Sequence, residues 1–255
     1  MKHPLLAVTA VVAALLVGVG ALGPWAAAVT GSVLVAAVAL GWPQLLGAPA
    51  RRSLTVVLLA SGLAATWAVA LWPVPEAGDP RRSFGGSLVE PVAICLALGT
   101  VAAFLVQLFR GHGRPQRLES TAGTVAGVVV VCAVAGWTAV ARHDAGALTL
   151  SLAVSLALAA LAGMARLSGP WDAVLAVLLA GLAPLALALV LPGLYPPAAV
   201  TAGVLGALGA VLAGRTAPDG GRGRPVGNRA AVALGVAPVA LAGLLAYFVI
   251  RIMPG

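Results

Sequence analysis

Charge is what this sequence has least of: 9% of its 255 residues are Asp, Glu, Lys or Arg, against 61% that are apolar. A water-soluble domain carries charge at roughly a quarter of its positions, so most of this chain's outer surface must face lipid. Lysine is nearly missing. Lys2 is the only one beside fourteen arginines, so no phosphate-cradling GxxxxGK loop can be formed and nucleotide hydrolysis by that route is excluded. There is no HExxH to place two imidazoles and a base on one helical face. There is no complete GxSxG either, since Gly85-Gly86-Ser87-Leu88-Val89 lacks the last glycine. His3, His112 and His143 fall in three separate loops and cannot share a metal. The two cysteines, Cys95 and Cys132, lie inside apolar runs, have no CxxC spacing, and read as small hydrophobes rather than a disulfide or redox pair. No cofactor or metal is expected, and the chain reads as a non-enzyme.

What is present is a succession of apolar stretches about twenty residues long, with a mean hydropathy of +1.07 over the chain. Such stretches are read as transmembrane helices, because hydrocarbon leaves the backbone no partner but itself. They predict an all-α integral membrane protein, a polytopic bundle of about nine spans in one domain covering 1–255. The spans fall near 5–22, 25–46, 54–72, 91–109, 121–141, 147–165, 171–191, 198–214 and 230–252. Met1-Lys2-His3 before an apolar run resembles a secretory leader, but the run from Leu5 to Leu22 is longer than a leader's hydrophobic region and reads as the first span. The junctions at Gly23-Pro24 and at 192–197 are the shortest. Abundant Ala, Gly, Val and Pro, with arginine in place of lysine, is the composition of a GC-rich bacterial genome of the actinobacterial kind.

Positive loops stay on the cytoplasmic side. With the N-terminus inside, eleven of the fifteen basic residues fall inside, leaving Arg81, Arg82, Arg142 and Arg251 outside. The acids Glu119, Asp172 and Asp219 fall inside, while Glu76, Asp79, Glu90 and Asp144 fall outside, so the whole net charge of +8 sits on the cytoplasmic face. The expected location is the cell membrane, multi-pass, with the N-terminus cytoplasmic and the C-terminus external. Trp25, Trp42, Trp72, Trp137 and Trp171 lie near predicted span ends, where headgroup-level anchoring is expected; Trp67 lies deeper.

No ionisable residue falls near a span centre, which argues against carriers built on buried carboxylates and against intramembrane metalloenzymes. Glu90 before Pro91, and Asp172 after Pro170-Trp171, suit helix N-termini by charge. The stretch from Pro73 to Glu90 reads as an irregular external connection. Two basic loops remain, Arg110 with Arg114 and Arg117, and Arg215 with Arg222, Arg224 and Arg229. They are candidate contacts for anionic lipid headgroups or for a protein partner. Nucleic acid is not expected, because the arginines have no interleaved aromatics. The GxxxG of Gly123 and Gly127, and the glycines at 203, 206, 209 and 214, predict close helix packing within the chain. Pro184 and Pro238 sit mid-span in similar surroundings, Gly-Leu-Ala-Pro and Gly-Val-Ala-Pro. Each removes a backbone hydrogen bond and is a candidate kink or cavity lining.

These features support a non-catalytic membrane component that binds other membrane proteins, for example in an envelope or division complex. The alternative is a permease, or permease subunit, for a neutral or lipid-like substrate. A headgroup-modifying enzyme would need clustered carboxylates or histidines, which the sequence does not supply.

Overall fold

A computed structural model describes residues 4–47, 51–73, 88–109, 117–143, 146–162, 171–188, 200–201, 203–204 and 227–252. Among them the chain is helical and joined by turns, with no strand. In chain order the helices are α1 (Pro4–Gly20), α2 (Pro24–Leu45), α3 (Arg51–Leu71), α4 (Glu90–Leu108), α5 (Arg117–Ala133), α6 (Ala135–Ala141), α7 (Gly146–Ala162), α8 (Trp171–Ala188) and α9 (Asn228–Ile252). Residues 200, 201, 203 and 204 are also helical. α5 and α6 make one apolar span, Ser120–Ala141, interrupted only at Val134, whose carbonyl accepts the Trp137 N–H at 3.0 Å in a tightened turn.

Among the described residues, five helices are long and apolar enough to cross a membrane: Pro24–Leu45, Arg51–Leu71, Glu90–Leu108, Ser120–Ala141 and Asn228–Ile252. Nine were expected. Three further apolar helices are shorter, Leu5–Gly20, Gly146–Ala162 and Val174–Leu187. At 1.5 Å per residue, a 17-residue helix reaches about 26 Å, a little under the roughly 30 Å of a hydrocarbon core. The segment expected at 198–214 falls mostly outside the described residues. The long spans begin and end within about three residues of their expected limits. Arg51 and Arg52, expected in a loop, form the first turn of α3, and Arg117 begins α5.

Local chemistry explains the helix ends. Gly23 takes φ 139°, a left-handed conformation that only glycine adopts freely, and Pro24 opens α2 with its preset φ. α4 begins Glu90-Pro91, with the carboxylate in the first turn, where the helix dipole favours it.

α5 and α6 stand at the centre, packed on α2, α3 and α9, with α4 beside α3 and α5. α9 packs along α2 and α1; α7 leans on α1 and carries α8 on its other side. Alanines 159, 162, 176 and 180 form the α7–α8 contact, a small satellite of the main core. Contacts between helix ends sort into two groups. At one end Leu46 meets Gly123, Gly41 meets the Arg229 carbonyl, and Gln107 donates to Ser120 at 2.8 Å. At the other Arg142 meets the end of α3, the His143 and Tyr247 rings lie 5.8 Å apart, and Gly146 meets the Ala21 carbonyl.

Candidate functional site

The central span and α9 cross closely. A methyl group added at Gly136 would collide with the backbone of Gly243 and Leu244, so the two helices touch main chain to main chain. The Trp137 indole lies against Gly243, and its Nε1–H donates to the Val239 carbonyl at 2.9 Å. Bare glycine is needed on both sides of this crossing because a Cβ on either would occupy the partner's space. Trp137 is 3% exposed. The expectation that it anchors at the headgroup level is therefore corrected: its ring fills the interior, and its one polar atom is satisfied by a carbonyl of another helix.

Pro238 lies next to this crossing, buried within α9. One turn earlier, Gly235 abuts Thr9 Oγ1 and the Leu6 carbonyl of α1, so α9 is pressed from two sides around the proline. Pro184 is buried in α8, which packs on α7. The two prolines thus belong to different neighbourhoods, with α1 and α7 between their helices.

The GxxxG of α5 is used inside the chain. Leu46 packs on Gly123, the Trp42 ring and Leu58 pack on Gly127, and Trp42 Nε1–H donates to the Gly123 carbonyl at 2.8 Å. Trp25 and Trp171 are well exposed at helix ends, as interfacial anchors would be. Trp67 points its Nε1–H back to Ser32 Oγ, 3.1 Å away, and lies 6.3 Å from the Trp25 ring.

At the opposite end from Leu46, Arg142 reaches from the end of α6 to the end of α3. Its Nη1 donates to the Val69 carbonyl at 2.8 Å and to the Trp72 carbonyl. The last carbonyls of a helix have no intrahelical partner and carry partial negative charge, so a guanidinium there acts as a cap supplied by a neighbour. One turn before it on the same helix, the hydroxyl of fully buried Thr138 has no partner among the described residues.

Among the described residues the buried polar side chains are Ser61, Thr66, Gln107, Ser120, Thr121, Thr124, Thr138, Thr149, Ser151 and Ser155, all neutral. Several turn back on their own helix: Thr66 donates to Gly62 O, Thr124 to Ser120 O, and Ser155 to Ser151 O. This is the usual way for a hydroxyl to be satisfied in hydrocarbon. Among the described residues no three of His, Cys, Asp and Glu come together in a way that could hold a metal.

Of the basic candidates, Arg229 is the second residue of α9 and exposed, and Arg117 is the first of α5. Arg110, Arg114, Arg215, Arg222 and Arg224 lie outside the described residues, as does most of the connection from Pro73 to Glu90. Arg142 and the Trp137 crossing were not singled out by sequence reasoning. Their signals were a glycine beside a tryptophan inside a span, and an arginine one turn after a span's threonine. Comparison with protein-family models, curated proteins and solved structures found no match.

Proposed function

We propose that the chain is a multi-pass protein of the cell membrane that crosses it nine times, N-terminus cytoplasmic and C-terminus external, and serves as a non-enzymatic component to which other membrane proteins bind. The observation that carries this reading is the character of the interior: every buried polar side chain among the described residues is a neutral hydroxyl or amide. Proton relays and charged substrates call for ionisable groups at depth. The outward surface complements this reading. α4 turns Ile94, Leu98, Val101, Phe104 and Leu108 away from the bundle, each more than half exposed.

Photo-crosslinking tests it. A crosslinking amino acid at Leu98 or Phe104 is expected to capture one defined membrane protein in stoichiometric yield. Recovery of lipid adducts alone at both positions would overturn the partner-binding role. A reporter after Gly255 is expected to read as external; a cytoplasmic result would remove the odd number of crossings.

The permease reading is favoured by a different observation. Ser151 on α7 is fully buried, its hydroxyl without a partner among the described residues, and α7 packs on the helix that holds Pro184. Uptake of a neutral or lipid-like solute into vesicles, lost in Ser151→Ala, would establish that reading instead.

A further inference from the structure

Three exposed arginines, Arg51, Arg52 and Arg229, stand around one end of α2. The placement is fixed by packing. Gly41, one turn from the end of α2, touches the main-chain carbonyl of Arg229, and a Cβ at 41 would collide with it and with Ala233. The first turn of α9 is thereby pinned to the last turns of α2. Arg51 and Arg52 open α3, which follows α2 after a short connection and packs along it. The same end of α2 is held from another side by the Trp42 bond to Gly123, seven residues into α5.

The three guanidinium groups thus ride on helix starts braced against a single helix end, rather than on free loops. Beneath them the surface is apolar. Val56, one turn after Arg52 on α3, is 63% exposed, and Leu40 on α2 is 49% exposed. A cationic rim above exposed aliphatic side chains matches an amphiphile with an anionic head and hydrocarbon tails.

We infer that Arg51, Arg52 and Arg229 form a collar at the end of α2 that binds the phosphate headgroups of anionic phospholipids in the adjacent leaflet. This rests on the reading of the chain as bilayer-embedded. It extends that reading to Arg51 and Arg52 and to a site of fixed geometry. Guanidinium matches phosphate through paired N–H donors, and each juxtamembrane arginine contributes about fivefold in lipid preference at low salt. Exposed charges are screened as salt rises, so the preference weakens between low and physiological ionic strength.

The test uses the full chain reconstituted in phosphatidylcholine vesicles containing a minor fraction of spin-labelled phosphatidylglycerol or spin-labelled phosphatidylcholine. Electron paramagnetic resonance reads the immobilised fraction at the protein surface. Wild type is expected to enrich phosphatidylglycerol over phosphatidylcholine on the order of tenfold or more at low salt. R51Q/R52Q/R229Q is expected to lose most of that preference, the Arg→Lys triple to keep much of it, and R251Q, at the opposite end of α9, to behave as wild type. An unchanged preference in the glutamine triple, or none in wild type, overturns the collar. Equal loss in R251Q overturns it too, since net charge rather than position would then be responsible. Flotation with pure phosphatidylcholine vesicles after an alkaline wash separates the two failures. A chain that does not float refutes bilayer embedding itself, whereas one that floats without lipid preference refutes only the collar.

Discussion

The central span Ser120–Ala141 and the neighbouring α4 are close in length and equally apolar, yet 83% of the first's apolar window is buried within the protein and only 28% of the second's. Hydropathy does not distinguish them, because lipid and protein interior are alike to a leucine. Side-chain size does. The central span carries Gly123, Gly127 and Gly136, with hydroxyls at Ser120, Thr121, Thr124 and Thr138, and other helices reach its backbone at those points. α4 has one such point, Gly99, which receives Ser61 and Val128, and bulky residues on most of its remaining surface. In a bilayer, then, small residues mark where helices of one chain close on each other, and large ones mark the face left outward for lipid or another membrane protein.

The comparison can be broken most severely at the glycine crossing. Gly136→Leu is expected to cost more than about 3 kcal/mol, because the side chain would have to occupy the Gly243 backbone, and no folded protein should be recovered in mild detergent. Recovery of normally folded material would show that the central span is not held main chain to main chain. Arg142→Gln removes the charged cap on α3 and is expected to lower stability by about 2 kcal/mol, with Arg142→Lys restoring part of it; thermal unfolding in detergent reads both. Trp137→Phe keeps most of the ring volume but drops the bond to Val239, leaving that carbonyl without its interhelical donor; a loss of about 1 kcal/mol is expected by the same measurement. On α4, Leu98→Ala is expected to change stability by less than about 0.5 kcal/mol, whereas Gly99→Leu, one residue on, should be plainly destabilising. A large effect at Leu98 would mean that this face of α4 is not turned outward from the bundle.

Much of the helix layout was legible in the sequence, since a membrane demands about twenty apolar residues whatever the fold. The limits of α2, α3, α4 and α9 were read to within a few residues because Pro, Gly and charge mark them. Neighbour relations were not legible. Trp137 was expected at the interface because it lies close to the end of its span, but depth along a helix does not say which way a side chain points. Arg142 was counted only as one of four external cations, and its acceptors are carbonyls about seventy residues earlier, which no local pattern announces. The candidate site was legible in part: the arginines were noticed as loop charge, while bracing of Arg229 by Gly41 is a property of packing alone.

The bond from Trp137 to Val239 spans 102 residues of chain, and this bears on how the protein is made. Translation delivers the central span long before α9, so the indole N–H and the bare backbone at Gly136 wait in the membrane without their native partners. A nascent chain stopped anywhere in that interval would present an unfinished seam.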